Sequence, residues 1–258
     1  MFCYFCVSQK HRNLLFFSKP KPRLADLIPD DYVDIHSHLL PGIDDGAKDP
    51  DNSLELIRTL KSYGFSQFIT TPHILTGVWN NTKKGIQDTE KTTISYLGTQ
   101  GESMPFKAAA EYLMDDTFIK LYKGEPLLTL KDEYVLVEMS YLNPPLQLYD
   151  IIFELQIAGY KPVLAHPERY IFYHQKFEEY YRLKKAGCLF QLNLLSVTGY
   201  YGEPVLKAAQ KLLENNLIDF TGSDAHHERH TKSFNNPVKI KKTEALAEAL
   251  KNNSFFKV

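Results

Sequence analysis

The chain has 258 residues, 43% hydrophobic and 13% aromatic, enough apolar material for a sizeable core and too much for a disordered polypeptide. Its 30 Lys and Arg against 31 Asp and Glu exclude a large sequence-independent grip on nucleic acid or an anionic membrane, though not a local basic patch. The 3 cysteines make no disulfide framework and no apolar run reaches membrane length, so a soluble, cytoplasmic protein with no nucleic-acid partner and no membrane insertion is expected.

Residues 1–30 read as an N-terminal extension. The apolar opening Met1–Val7 is too short for a signal peptide, and Ser18-Lys19-Pro20-Lys21-Pro22-Arg23 is basic and Pro-rich, hence extended and partly mobile. Strand character follows at 32–35, 67–71, 106–110, 134–139, 162–165, 188–192 and 217–221. Helical periodicity lies between and after these runs, at 53–63, 146–158, 177–186, 204–215 and 243–251. Pro50-Asp51 and Gly64 bracket the first helix, while Gly159 and Gly187 follow the second and third. Strands alternating with helices predict βαβ units and a mainly parallel sheet. The unbroken alternation predicts one α/β domain over 31–258, a closed or nearly closed barrel, with a doubly wound open sheet as the alternative.

In such a barrel the chemistry collects at the C-terminal ends of the strands. Those ends carry Asp34-Ile35-His36-Ser37-His38 with Asp44-Asp45-Gly46, then Thr71-Pro72-His73, Ala110-Glu111 and Val137-Glu138. Further on come Ala165-His166-Pro167-Glu168-Arg169, Leu192-Asn193 and Ser223-Asp224-Ala225-His226. On an extended segment His36 and His38 point to the same side, and Asp224 and His226 repeat that spacing. A nitrogen-and-carboxylate set without thiolate suits Mn²⁺, Fe or Zn²⁺ at a catalytic centre. A carboxylate such as Glu111 is able to bridge two ions, and Arg169 offers a planar donor for a phosphate oxygen.

Each motif alone has a bland reading. An isolated H-x-H is usually accidental, His73 fits a loop, and Glu138 fits an ion-paired core position. Together they are harder to dismiss, because buried Glu and inward His are costly unless paired or metal-bound. His11, His174, His227 and His230 keep the bland reading, as solvated loop residues or supports for the ligands. Cys6 and Arg12 match the C-x5-R spacing of thiolate phosphatases, but the loop lacks Gly and has no strand before it. That match, and the Cys3-x2-Cys6 pair, are read as chance.

The ordered blocks Asp34–Gly46, Thr71–His73, Ala110–Tyr112, Val137–Ser140, Ala165–Tyr170 and Ser223–His226 resemble the polymerase-and-histidinol-phosphatase (PHP) superfamily. Within it the chain is most similar to bacterial manganese-dependent protein-tyrosine phosphatases encoded with capsule and exopolysaccharide machinery. The resemblance runs over residues 30 to 258 and implies a distorted seven-stranded (β/α) barrel holding two or three divalent ions. It implies one ion on His36, His38, Glu111 and Asp224, and a second on Glu111, Glu138 and His166. The third falls to Asp45, His73 and His226, with Asp45 preferred over Asp44. Asp45 is also assigned a catalytic role, with Arg169 and Arg229 as the phosphate-binding arginines. Metal-bound hydroxide would attack phosphorus in line, so no cysteine nucleophile is required. The implied substrate is a tyrosine-phosphorylated protein, a bacterial tyrosine kinase that controls polysaccharide chain length. Two alternatives stay open: a small-molecule phosphomonoesterase of the histidinol-phosphatase type, and a non-catalytic phosphoprotein-binding module.

Overall fold

The computed structural model describes residues 21–257, so the readings of Met1–Val7, Cys3, Cys6, His11 and Arg12 lie outside the described residues. The elements run β1 (Tyr32–Asp34), α1 (Pro50–Lys61), β2 (Phe65–Thr70), β3 (His73–Ile74), α2 (Lys83–Thr99), β4 (Phe106–Ala108), β5 (Glu111–Leu113) and α3 (Asp116–Gly124). They continue β6 (Tyr134–Glu138), α4 (Leu148–Ile157), β7 (Lys161–Ala165), α5 (Glu178–Lys185), β8 (Leu189–Asn193), α6 (Glu203–Glu214), β9 (Phe220–Gly222), α7 (Glu228–Lys232) and α8 (Glu244–Asn252). Every ladder between these strands is parallel, as the βα alternation requires. Among the described residues no helix is long and apolar enough to cross a membrane.

Among the described residues the strands form two sheets and no single closed one: a 3-stranded sheet β1-β2-β4 and a 6-stranded sheet β3-β5-β6-β7-β8-β9. The division has a local cause. Pro72 follows β2 and has no N–H to donate, which ends that ladder before β3 begins. On the neighbouring strand Ala109-Ala110 separates β4 from β5. Single backbone bonds span the gap: Ala109 N donates to Thr70 O at 2.8 Å and Glu111 N to Pro72 O at 3.1 Å. On the other flank an isolated parallel bridge joins Ser37 to Ala225. There Asp224 N donates to His36 O at 2.7 Å and His38 N to Ala225 O at 3.0 Å.

Apolar side chains from β1, β2, β6, β7 and β9 (Val33, Ile69, Leu136, Val163 and Phe220) form a cluster completed by Phe256. Outside it, α4 and α5 pack through Ile151, Leu155 and Leu183, and α1, α6 and α8 through Leu60, Leu213 and Leu246. Residues 21–30 do not stand apart as the extension does in sequence. Leu24 and Ile28 are buried in the α1 cluster, and Leu24 N donates to Asn236 O at 3.0 Å. Helices α2 and α3 are unannounced by the sequence pattern. On α2 only Ile86, Thr93 and Leu97 are buried, too sparse an apolar stripe to read as a helix face. The start of α3 is set by Asp115, whose carboxylate accepts from Thr117 N and Phe118 N.

Candidate metal centre

The strand ends converge. The Ser37–Ala225 bridge keeps the chain extended past the end of β1, so His36 and His38 turn to one side, both fully buried, with ring centroids 5.5 Å apart. Glycine permits the approach: a Cβ on Gly222 would lie 2.6 Å from His36 Cβ, and one on Gly46 would lie 2.1 Å from His38 O. His166 and Asp224, each just beyond a strand, adopt left-handed backbone with φ of 37° and 49°. For residues other than glycine this costs on the order of 1–3 kcal/mol each and persists where surrounding structure enforces it, commonly at functional sites.

Three imidazoles are oriented by an acceptor on Nδ1, leaving Nε2 free to face the centre. His36 Nδ1 lies 2.7 Å from Gln191 Oε1, His38 Nδ1 2.7 Å from Asp44 Oδ2, and His226 Nδ1 2.9 Å from the carbonyl of Asp224. Gln191 acts as acceptor there because its Nε2 already donates to Leu192 O. An imidazole whose outer nitrogen is engaged in this way presents a basic, fixed lone pair, the usual arrangement of metal-ligating histidine.

Glu111 sits where these lone pairs meet. Its Oε2 is 3.2 Å from His36 Nε2, 3.5 Å from His38 Nε2 and 3.2 Å from His73 Nδ1, while Oε1 is 3.0 Å from His166 Nε2. Yet His36 Nε2, His38 Nε2, His73 Nδ1 and Glu111 Oε2 are all buried without a hydrogen bond of proper geometry. Buried polar atoms are nearly always satisfied, so several facing one another unsatisfied call for a cation between them. Four groups keep their donor atoms within 4.8 Å of one another: His36, His38 and Asp224; His36, Glu111 and His166; His73, Glu111 and Glu138; and His38, Asp45, His73 and His226. A divalent ion with bonds of about 2.1 Å fits such spans. The donor set therefore suits resident divalent metal.

Electrostatics agree. Burial works against charging His36, but Glu111 and Asp224 outweigh it and raise its pKa to about 9. His38 is likewise held well above its ordinary value against burial, chiefly by Asp44. Burial would raise Glu111, but His36 and His73 keep it well below the usual carboxylate range. The cluster thus draws protons when no other cation neutralises it. Burial pushes His166 and His226 down to about 4, so these two stay neutral and available as ligands.

All nine expected ligands are brought together, though their donor-atom groups do not follow the expected ion sets one for one. Glu138 meets His73, with Oε1 3.1 Å from Nδ1, and not His166, which falls with His36 and Glu111. Asp45 faces His73 Nε2 and His226 Nε2, at 3.6 Å from each, while Asp44 points the other way to hold His38 and to accept from His73 N at 3.2 Å.

A cavity of about 230 Å³ opens on this cluster, and Arg169 lines it together with Tyr141, Tyr201 and His230. Arg169 Nη1 donates to Asp224 Oδ2 at 2.8 Å. Arg229 is exposed and is not among the lining residues; its guanidinium carbon lies 5.6 Å from the Tyr200 ring centroid. His230, given the bland reading, is buried at the cavity wall, and its Nδ1 accepts from His226 N at 3.2 Å. Asn193 donates to Asp224 Oδ2 at 2.6 Å and to the Tyr201 hydroxyl at 3.0 Å. Glu168 supports it, accepting from Asn193 N at 3.0 Å and Ser196 Oγ at 2.6 Å. Gln191 carried no signal in sequence, since it acts through His36, 155 positions away, and Tyr201 and His230 lie several residues beyond the strand ends.

A family model described as capsular polysaccharide synthesis, CpsB/CapC, matches residues 32–248. The tyrosine-protein phosphatase YwqE of Bacillus subtilis (strain 168) is 29% identical over 238 residues, 87% of this chain and 94% of that protein. A chain from the crystal structures of YwqE from Bacillus subtilis and CpsB from Streptococcus pneumoniae, described as metal-dependent tyrosine phosphatases, aligns with TM-score 0.73 and 30% identity. That alignment covers 78% of this chain and 84% of the other. The histidinol phosphate phosphatase of Lactococcus lactis, at 11% identity and TM-score 0.50 over 88% of this chain and 94% of its own, shares the fold.

Proposed function

Given that this chain belongs to the CpsB/CapC family of capsular polysaccharide synthesis, we propose that it is a metal-dependent phosphatase that hydrolyses phosphotyrosine on proteins. The observation that carries the reading is the set of unsatisfied buried donors around Glu111, open to a cavity that also contains the Arg169 guanidinium. We take residues 31–258 as one catalytic domain. We read β2 with β3, and β4 with β5, as two interrupted strands of a distorted seven-stranded (β/α) barrel closed at the Ser37–Ala225 bridge.

In this reading His36, His38, Asp45, His73, Glu111, Glu138, His166, Asp224 and His226 hold two or three divalent ions. The absence of thiolate favours Mn²⁺ over a structural zinc. When bound, the ions supply an activated water and neutralise charge on the phosphoryl oxygens. The protein does the rest. Gln191 and Asp44 fix the tautomers and directions of His36 and His38. Arg169, anchored by Asp224, offers its remaining N–H groups to a phosphoryl oxygen as charge redistributes in the transition state. Asp45, its side chain 55% exposed, completes its ligand group from the solvent side at the cavity mouth. Arg229 would reach a bound substrate only from outside this cavity. The substrate class is a tyrosine-phosphorylated protein, which we place as a tyrosine kinase of polysaccharide assembly in the cytoplasm.

The test is turnover on a phosphotyrosyl peptide against histidinol phosphate, with the same Mn²⁺-loaded protein. Clear preference for the peptide is expected. Strong preference for the metabolite would move the assignment to a small-molecule phosphatase.

A further inference from the structure

Arg169 is more tightly framed than an ion pair requires. Its guanidinium carbon lies 4.8 Å from the ring centroid of Tyr141 and 4.4 Å from that of Tyr201, so two aromatic faces bracket one cation. The two rings are not equivalent. Tyr201 is tied into the ligand network, its hydroxyl accepting from Asn193 Nδ2 at 3.0 Å, and the same amide nitrogen donates to Asp224 at 2.6 Å. Tyr141 comes from the loop after β6 and lies over the centre. Its ring stacks on His166 with centroids 5.7 Å apart at 27°, and its hydroxyl is 3.5 Å from His166 Nε2. It nevertheless keeps 46% of its surface open, between the buried Glu138-Met139 strand end and the exposed Leu142. A large ring that lines the cavity and keeps part of its surface open offers an apolar surface to whatever enters.

We propose that Tyr141 and Tyr201 clamp Arg169 in its phosphate-binding position, and that Tyr141 is in addition the surface on which the substrate's aryl ring lies. The site therefore selects aryl over alkyl phosphate esters. This rests on the phosphatase reading above and adds the residues that set its specificity. Tyr201 acts through Arg169 and is a positioning residue; Tyr141 does that and also touches the leaving group. The ring contact is worth about tenfold in affinity, the upper range for one aromatic pair. Losing it leaves the phosphoryl contacts intact.

Leaving-group reactivity differs between aryl and alkyl esters, so binding of unreactive analogues is the cleaner measure. Phenylphosphonate and methylphosphonate are titrated calorimetrically into the Mn²⁺-loaded full chain and into its Tyr141→Ala, Tyr141→Phe and Tyr201→Ala variants, each checked for metal content and thermal unfolding. The wild type and Tyr141→Phe should bind the phenyl compound about tenfold more tightly than the methyl one. Tyr141→Ala should bring that ratio close to unity. Tyr201→Ala should weaken both ligands by the same factor and leave the ratio alone. Methylphosphonate binding without any preference for the ring, or an unchanged preference in Tyr141→Ala, overturns the aryl surface while leaving the phosphatase reading standing. Equal affinities in Tyr201→Ala and wild type overturn the clamp. Failure of metal-loaded protein to bind either phosphonate overturns both readings together.

Discussion

Replacing Asp44 with Asn keeps the side chain's size and removes one negative charge beside His38. The structure separates this residue from its neighbour Asp45. Asp44 Oδ2 holds His38 Nδ1 at 2.7 Å and receives His73 N at 3.2 Å, and Oδ1 receives Gly46 N at 3.0 Å. Burial would raise this carboxyl, but His38 lowers it to about 2, so at neutral pH it is anionic and makes His38 a stronger donor. Losing such an orienting partner weakens metal binding by about 10–100-fold, or roughly 1.4–2.7 kcal/mol, without deleting a ligand. Asp44→Asn should therefore bind the same number of Mn²⁺ ions at saturation, each experiment of chelator competition showing the lower affinity. Asp45→Asn removes an oxygen that faces His73 and His226, and should lower the stoichiometry itself. Elemental analysis beside competition titration reads both quantities. If Asp44→Asn sheds an ion and Asp45→Asn does not, the roles drawn for the two carboxylates are reversed and the reasoning from tautomer orientation fails.

Arg169→Ala should lower kcat/KM on a phosphotyrosyl peptide by about 100-fold or more, by analogy with loss of a transition-state donor, while bound metal is retained. Unchanged kcat/KM would mean the guanidinium serves only Asp224. Metal affinity should also depend on pH. Without metal, His36 is held at about 9 by Glu111 and Asp224, so below that pH a binding cation must displace its proton. Affinity should rise as pH rises toward 9, by up to about one log unit per pH unit for each proton displaced, and flatten above. Affinity flat between neutral pH and 9 would contradict a proton on His36 that the metal must displace.

Much of the site was legible because metal chemistry at strand ends leaves its residue types in the sequence. His36, His38, Glu111, Glu138, His166 and Asp224 each follow or end an apolar run, and all lie in the buried cluster. The strand-helix alternation likewise announced parallel sheets. What the pattern did not carry is set by three-dimensional neighbours. Which candidate ligand stands beside Glu138 depends on side-chain reach between strands, and His73 Nδ1 lies 3.1 Å from its Oε1. Gln191 reads as an ordinary strand residue until His36 packs on it from 155 positions away. His230 is called to the cavity wall by the turn into α7, whereas Arg229, one residue earlier, faces out. The division into two sheets falls where Pro72 lacks a ladder donor, a local effect that composition signals only once the partner strand is known.

Hydrolysis of phosphotyrosine is proposed to run on a divalent-metal cluster and not on a thiolate. This is tested most directly by assaying a phosphotyrosyl peptide before chelation, after chelation with metal loss verified by elemental analysis, and after Mn²⁺ is returned. Activity should be lost with the metal and restored with it. Full turnover by protein shown to be metal-free would contradict it.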